Sequence, residues 1–495
     1  MIKTKYIGLF LAILGLSSCN SPDDVVPHVD EETLPELTSG TANFENYVSL
    51  GASLTAGYSD FGLFIAGQEN SFPSMLASQF EKLGGGDFTQ PLVDDNTGGI
   101  LVGGTPVRGY RLTFNSEIPG PEPLNDFLAG LGVPVPPITT EAGINIGSDF
   151  NNFGIPGAKS FHLIAAGYAG ANPYYARIAS APTATVIDDA IAQNPTFFTL
   201  SDIGAADVLG YALSGGDGTD PITDIATFNS SLEILIDKLT ANGAQGVIAN
   251  VPDILGVSHF TTVTHNPVPL DAQTAAYLNS MNAYGAYNAG IVQAYAYLVA
   301  NTPLTQEMAD EEIAQRTITF SEAPDNALVI VDKNLRDLTV LNPALINIRQ
   351  ATAEDLVLLT ASSEIPNGVG VSTPMGDHLV LTPEEQNNIH DAAMAYNTSI
   401  ESLANSNNLA LADLKSIFEE ASTTGIKFDD YFLNTDLVFG GLVSLDGIHL
   451  TARGYALMAN TFLSAIDETY GSNFVASGNL MKAGDYPTAY SPTLE

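Results

Sequence analysis

The chain has few of the residues that build disulfides, metal clusters or nucleic-acid surfaces. Only one of its 495 residues is cysteine, so neither an intramolecular disulfide nor a cysteine-rich metal cluster can form. Lys and Arg number 16 against 56 Asp and Glu, which gives a formal net charge of −40. A surface of that charge repels phosphate backbones and anionic lipid headgroups. The composition therefore excludes nucleic acid as a partner.

Charged residues as a whole are also scarce, at 15% of the chain against 45% hydrophobic residues. A chain of this composition is too weakly charged for wholesale disorder, so we expect a globular body. Its length leaves room for at least one large core, and without disulfides that core must supply the stability.

No apolar run near the N-terminus is long enough to span a bilayer. The run from Tyr6 to Leu16 follows Lys3 and Lys5 and has about half the roughly 20 residues required, which is typical of a signal peptide. It ends in Leu16-Ser17-Ser18-Cys19, which resembles the lipobox of bacterial lipoproteins, where a cysteine is cleaved at and acylated. We therefore expect a signal peptide over residues 1–18 and a lipid on Cys19, with a buried structural cysteine as the alternative.

The next segment, residues 19–42, is predicted to be an acidic tether. Between residues 20 and 40 it carries six acidic residues, three prolines and no Lys or Arg, a composition that favours an extended chain. An acidic stretch behind a lipidated cysteine also resembles the surface-export signals of lipoproteins from Bacteroides-type bacteria. The resemblance implies a lipid-anchored outer-membrane lipoprotein of the cell envelope, exposed at the surface.

Beyond the tether, strand-like and helix-like segments alternate, which predicts a parallel sheet of about five strands with helices on both faces. The predicted strands are 46–52, 196–200, 246–250, 328–332 and 409–411, and the predicted helices are 71–83, 185–193, 223–241, 382–404 and 451–469. They form one domain over residues 43–475, followed by a C-terminal tail, 476–495.

Three long insertions interrupt this domain, and we predict them to be loops. They cover residues 84–149, 254–326 and 333–376, and the first is rich in Gly and Pro and contains little that favours a strand. Loops of this length in a compact domain usually carry function or lie over a site.

Seven histidines narrow the search for chemistry. No HExxH motif or paired histidine and carboxylate spacing is present, and His259 and His265, six residues apart, are only weak evidence for a ligand pair, so no metal is expected. His449 differs from the other histidines, because Asp446 lies three residues earlier and can accept a hydrogen bond from Nδ1–H, which leaves Nε2 free as a base. A solvated turn with a capping role is the alternative for these two residues.

A serine flanked by small residues follows the first predicted strand, in Tyr47-Val48-Ser49-Leu50-Gly51-Ala52-Ser53-Leu54-Thr55-Ala56-Gly57. This segment resembles the first block of the GDSL-type, or SGNH, hydrolases, whose nucleophilic serine follows the first strand of a flavodoxin-like sheet. The family usually has Asp or Asn before that serine, where this chain has Ala52.

The other family blocks follow in order. Asn152-Phe153-Gly154-Ile155-Pro156-Gly157 resembles the second block, and the resemblance makes Gly154 the backbone donor to the oxyanion. Gly204-Ala205-Ala206-Asp207 stands in place of the third block, Gly-x-Asn-Asp, so Ala206 replaces the asparagine that donates to the oxyanion, and the preceding Ser201-Asp202 is also unlike the family. Asp446-Gly447-Ile448-His449 matches the final block.

The resemblance implies a flavodoxin-like three-layer α/β/α fold and a serine ester hydrolase. Ser53 would attack an acyl carbonyl, His449 would take its proton, and Asp446 would orient His449, while the N–H groups of Ser53 and Gly154 would bind the oxyanion. Neither a metal nor an organic cofactor is implied, and the substrate would be an ester of a lipid or an acylated glycan. The alternative is a weakened hydrolase retained as a surface binding protein for glycans, which Ala52 and Ala206 favour.

Overall fold

A computed structural model describes residues 34–494, so Cys19, the signal peptide and most of the acidic tether lie outside the described residues. The strands are β1 (Tyr47–Gly51), β2 (Ile100–Val102), β3 (Thr105–Arg108), β4 (Leu112–Asn115), β5 (Gly120–Pro123), β6 (Asn152–Gly154), β7 (Phe197–Leu200), β8 (Gln245–Ala249), β9 (Val268–Leu270), β10 (Ala323–Asn326), β11 (Val329–Val331), β12 (Ile348–Gln350), β13 (Leu356–Val357), β14 (Val380–Leu381), β15 (Ala410–Ala412), β16 (Ile426–Phe428) and β17 (Tyr431–Leu433).

The α-helices of this part of the chain vary from one turn to more than six turns. They are α1 (Ser53–Ala56), α2 (Ile65–Glu69), α3 (Phe72–Glu81), α4 (Leu124–Gly130), α5 (Pro173–Ala176), α6 (Val186–Ala192), α7 (Ala205–Leu213), α8 (Ile225–Thr240), α9 (Ser258–Thr261), α10 (Ala272–Leu278), α11 (Tyr284–Asn301), α12 (Gln306–Arg316), α13 (Pro383–Ser406), α14 (Leu414–Thr423) and α15 (Ala452–Tyr470).

A five-stranded sheet, all parallel, forms the centre of the molecule in the order β6-β1-β7-β8-β15. Numbered along the chain within this sheet, the order is 2-1-3-4-5. Its strands have short apolar sequences because both faces of the sheet are covered, and every residue of β1 and β7 is buried. The carboxyl ends of all five strands therefore meet at one edge of the sheet.

Helices pack around this sheet in two groups, which is compatible with a three-layer α/β fold. Helix α3 packs against α15, and α8 packs against α13, while both α13 and α15 contact β15 and β8. Apolar residues at steps of three and four place one stripe of α8 in the core, and the Asp224 side chain caps its first turn. The predicted helices and four predicted strands are confirmed to within two residues at each end.

The remaining predicted strand, 328–332, is present as β11, but its predicted place in the main sheet is wrong. β11 pairs antiparallel with β12, outside that sheet, and β6 takes the edge position instead. The expectation that 84–149 holds little strand is also wrong, since β2 pairs with β3 and β4 with β5 in two short hairpins. Positive φ angles at Gly103 and Gly104 allow the tight turn that joins β2 to β3.

The second and third insertions are not loops, because together they fold into a packed unit. Helices α10 to α12 and strands β9 to β14 bury two apolar clusters of their own, one centred on Ile291, Tyr295 and Val329 and one on Leu328, Ile330 and Val357. Arg349 forms buried ion pairs with Asp332 (2.6 Å) and Asp355 (2.7 Å) inside this unit. Apart from β11, which the sequence indicated as a strand, these elements lack one dominant apolar period, and the sequence therefore did not indicate them.

The first described residues pack at the amino end of the sheet. The Thr38 N–H donates to Asn473 Oδ1 (2.7 Å), and the Thr41 N–H donates to the carbonyl of Tyr470 at the end of α15 (2.8 Å). The tail is also packed, since Arg111 donates to the carbonyl of Ser491. Among the helices of residues 34–494, none combines the length and apolar character needed to cross a bilayer.

Candidate active site

Ser53 lies at the carboxyl end of β1, where the strand turns directly into α1. The turn is tight: a Cβ on Gly51 would lie 2.2 Å from Thr55 Oγ1 and 2.5 Å from the Ser201 carbonyl. Gly57 ends α1 with φ +80, a conformation that costs glycine little. Within residues 34–494 neither the hydroxyl nor the N–H of Ser53 forms a hydrogen bond, so both are available to a ligand.

The carboxylate of Asp202 holds this turn from the end of the neighbouring strand. Asp202 Oδ2 accepts the N–H groups of Ala52 (3.0 Å) and Thr55 (2.8 Å), on either side of the serine, while Oδ1 accepts the Ser201 hydroxyl (2.7 Å). Burial raises the pKa of Asp202, and these hydrogen bonds oppose the rise. Ser201-Asp202, a departure from the family pattern, thus supplies the carboxylate that holds the turn carrying Ser53.

His449 and Asp446 form a hydrogen-bonded pair on the loop before α15. His449 Nδ1 lies 2.8 Å from Asp446 Oδ2, which also accepts the N–H of Phe61 (2.9 Å). Asp446 Oδ1 accepts the N–H groups of Ile448 and His449 (both 2.8 Å). Both side chains of the pair are buried, and no atom of the described residues bonds to His449 Nε2.

The charge state of Asp446 follows from these contacts. Burial by itself raises the pKa of Asp446, but His449 and the hydrogen bonds outweigh it and hold the pKa well below its ordinary value. Asp446 is therefore ionised at neutral pH, which keeps the proton on Nδ1 and stabilises an imidazolium.

Ser53, Asp446 and His449 line one cavity of about 680 Å³. Ser53 and His449 also line a smaller neighbouring cavity of about 50 Å³, whose other walls are mostly apolar, among them Leu209, Ile254 and Phe418. No hydrogen bond joins the Ser53 hydroxyl to His449 among residues 34–494, an arrangement common in unliganded sites, where such bonds tighten only on substrate binding.

The three predicted insertions all contribute to the walls of the larger cavity. Residues of 84–149, 254–326 and 333–376 line it, namely Arg108, Leu112, Pro121, His259, Leu359, Thr360 and Ser362. The insertions into the parallel domain therefore determine part of the shape of this cavity.

Gly154 is not placed as the resemblance implied. Its N–H donates to Asn152 Oδ1 (2.9 Å), and it is a wall of a different pocket. A Cβ at this position would lie 2.2 Å from the Ala56 nitrogen, so the glycine is there to let β6 approach α1. The structure therefore does not bring Gly154 to the site as an oxyanion donor.

Of the two glycines in this block it is Gly157, three residues further on, that lines the larger cavity with Ser53 and His449. It has φ +80, and its N–H forms no hydrogen bond within the described part of the chain. Sequence reasoning missed it by choosing the first of two glycines in the block, and Pro156 before it was the available signal of a turn.

Ala206 lies on α7 where the resemblance put it, and it lines both cavities with Ser53 and His449. Its side chain has no donor. The next residue, Asp207, is buried and accepts the N–H of Gly204 (3.0 Å) and both the N–H and the hydroxyl of Ser160 (3.0 and 2.8 Å). Asp207 thus ties the loop after β7 to the loop after β6.

His259, which the sequence marked only as weak evidence for a ligand pair, packs against the loop that carries Asp446 and His449. Its N–H donates to the Gly447 carbonyl (2.9 Å), and its Nδ1 lies 3.3 Å from the Asp446 carbonyl. Burial lowers its pKa, so it is neutral and donates from Nδ1. His265 is not brought to it as a ligand pair, and no group of His, Cys, Asp or Glu within residues 34–494 could hold a metal ion.

Comparison with known proteins adds no relative: neither a family model, nor a curated protein, nor a solved structure matches this chain.

Proposed function

We propose that this protein is a serine ester hydrolase. The observation that carries the proposal is the His449–Asp446 pair, hydrogen-bonded at 2.8 Å, which shares a cavity with Ser53 at the start of a helix. A nucleophile, a base and a carboxylate that orients the base are the three roles that acyl transfer through serine requires.

The proposed reaction runs in two halves. Ser53 Oγ attacks the acyl carbonyl carbon and its proton passes to Nε2 of His449, while the new oxyanion accepts hydrogen bonds from the free N–H groups of Ser53 and Gly157. His449 then gives the proton to the leaving alcohol oxygen, the C–O bond breaks, and the acyl group stays on Ser53. Water repeats the attack with His449 as base, which releases the carboxylic acid and restores the serine hydroxyl.

The order of the sheet supports the more specific fold within this proposal. The order 2-1-3-4-5 is that of flavodoxin-like sheets, whose ligands bind outside the carboxyl ends of the strands where the chain reverses direction across the sheet. Ser53 follows the strand at that reversal. We therefore propose a flavodoxin-like, SGNH-type hydrolase.

The two cavities suggest how an ester would be divided between them. The smaller one, about 50 Å³ and mostly apolar, has room for a short acyl group such as acetyl, while the larger one, about 680 Å³, has room for a sizeable alcohol. An acetylated glycan fits this division better than a long-chain lipid ester.

A serine-directed fluorophosphonate tests the proposal, with mapping of the labelled peptide and parallel rates on aryl esters of increasing acyl length. We expect the label on Ser53 in the wild type and none there in Ser53→Ala. We also expect acetate to be hydrolysed faster than octanoate, and Ser53→Ala and His449→Ala each to abolish hydrolysis with little further loss in the double variant. If Ser53→Ala kept most of the wild-type rate, the nucleophile assignment would be wrong.

A binding protein is the second candidate, because Ala206 lines the cavity where the family has an asparagine, and alanine supplies no side-chain donor to the oxyanion. That candidate requires no turnover and no labelling of Ser53. Ester hydrolysis that depends on Ser53 would eliminate it.

A further inference from the structure

One arginine stands apart from the other six in residues 34–494. The six are held by their surroundings: Arg177, Arg336 and Arg349 by carboxylates, Arg111 and Arg316 by carbonyl oxygens, and Arg453 by a carbonyl and the ring of Tyr431. Arg108 is exposed, and its guanidinium forms neither a hydrogen bond nor an ion pair within this part of the chain. In a chain with 56 acidic and 16 basic residues, an arginine whose guanidinium has neither a carboxylate nor a carbonyl partner is unexpected.

Arg108 lies on the wall of the active cavity, at the end of β3. Tyr58 and Tyr174 line the same cavity, where burial raises their pKa values and the charge of Arg108 opposes the rise. The ring of Tyr58 in turn lies 4.7 Å from the ring of His449. Because Arg108 lines the larger cavity and not the smaller one, its free guanidinium is in the part of the site that we assign to the alcohol.

The other cations of the site are already neutralised or neutral. Lys159, which also lines the cavity, lies 2.5 Å from Asp220 and donates to the carbonyl of Pro221. His259 is neutral. Because charges further away than about 8 Å are largely screened at physiological salt, local charge and not the net charge of −40 decides what binds in the cavity.

We propose that Arg108 binds an oxyanion group, a carboxylate or a phosphate, on the alcohol part of the ester, so that the substrate is an acylated acidic glycan. The inference rests on the proposed esterase function and names its substrate class. A planar guanidinium with five N–H donors matches both anions, and hydrogen bonds to charged groups are the stronger ones.

The test uses three acetylated methyl glycosides that share the acetyl position: a glucuronoside, a glucoside 6-phosphate and the neutral glucoside. We expect the wild type to prefer one or both anionic esters over the neutral one, and Arg108→Gln to lower that ratio of kcat/KM by about 10- to 100-fold. The two anionic arms identify whether carboxylate or phosphate is bound. Raising the salt concentration should reduce the preference of the wild type and leave that of Arg108→Gln nearly constant.

Lys427→Gln is the matched control, since it removes the same charge from an exposed residue of β16 that does not line the cavity. It should keep the wild-type ratio. Equal rates on all three esters, or a ratio that falls as far in Lys427→Gln, would overturn the inference while leaving the esterase proposal standing. If no turnover can be measured, calorimetry can follow binding of the unacetylated glycosides to Ser53→Ala. The anionic glycosides should bind more tightly than the neutral one, and the double variant with Arg108→Gln should lose this difference.

Discussion

Ala206 is the residue at which a single substitution separates the two candidate functions. It faces both cavities beside Ser53 and His449. Because a hydrogen bond to the oxyanion forms only as the tetrahedral intermediate develops, Ala206→Asn should raise kcat by about tenfold or more with little change in KM. Steady-state kinetics on an aryl acetate measure this.

Ala206→Leu is the control for that experiment, since leucine has the same branched arrangement of four side-chain heavy atoms as asparagine, with a larger volume and no donor. We expect it to lower kcat or leave it unchanged. An equal gain from leucine would show that volume, and not the hydrogen bond, had changed the rate; no turnover in any of the three proteins would favour the binding protein.

At the residue scale, the sequence predicted the side chains of the site better than its backbone groups. Ser53, Asp446 and His449 come together around one cavity as expected. The sequence could not show whether Gly154 or Gly157 has the free N–H group, because the Gly154 N–H is taken by the side-chain oxygen of Asn152 only in the folded turn. His259 reaches the catalytic loop only through the folding of an insertion.

Asp60, behind the catalytic pair, predicts a pH dependence of stability. Its Oδ1 accepts the N–H of Leu445 (3.0 Å), whereas Oδ2 is buried with no partner in residues 34–494, and burial raises its pKa to about 7. The folded protein binds this proton more tightly than the unfolded chain, so stability is lost as pH rises from about 4 to about 7. The loss is at most about 4 kcal/mol.

Asp60→Asn removes the ionisation and should flatten this dependence. The measurement is the urea midpoint between pH 5 and pH 8, where the difference between variant and wild type should grow with pH. Asp87→Asn, the same change at an exposed residue, should follow the wild type. Parallel curves for wild type and Asp60→Asn would show that Asp60 does not titrate in this range.

At the scale of elements, the turn from β1 into α1 depends on a carboxylate from β7. Asp202→Ala leaves the N–H groups of Ala52 and Thr55 without their acceptor, at a cost of about 1 to 3 kcal/mol for each buried group. We expect kcat to fall at least tenfold with a smaller change in KM, since the serine loses its orientation.

Asp202→Asn retains an acceptor oxygen and should recover most of the lost kcat. A urea titration run beside the kinetics separates the two effects of the alanine variant. If kcat in folded Asp202→Ala equalled that of the wild type, the carboxylate would have no part in positioning Ser53.

Helices with a clear apolar period or a capping motif could be predicted from the sequence. Strands that form only because they pair with a distant segment could not. The apolar stripe of α8 and the capping box of α13, in which Glu385 Oε2 accepts the N–H of Thr382 (2.8 Å), are local signals. β6 has only three residues and no period, and it is a strand because it pairs with β1. β11 looks like a core strand, yet its partner is β12 in the inserted unit.

At the scale of the molecule, the proposed catalytic residues Ser53, Asp446 and His449 belong to the parallel domain, and much of the wall of their cavity belongs to the insertions. The family resemblance covers the parallel domain, so it is the source of the chemistry that we propose. It could not be the source of the proposed specificity, because Arg108, His259 and the segment 359–362 lie in chain that the family blocks do not include.

The position of the N-terminus relative to the site yields the last prediction. The described chain begins near Tyr470 at the amino end of the sheet, and Ser53 lies at the carboxyl end. If Cys19 carries the proposed lipid, the anchor therefore enters the domain opposite the cavity, and substrates outside the anchoring membrane are favoured. We expect the intact mass of membrane-extracted protein to show an acylated Cys19. We also expect the anchored protein and a soluble Cys19→Ala form without the signal peptide to hydrolyse a soluble acetylated glycan with equal kcat/KM, within about twofold. An unmodified Cys19 would show that there is no lipid anchor. If the anchored form hydrolysed esters within vesicles at least tenfold faster than the soluble glycan, the site would instead act on the membrane that holds the protein.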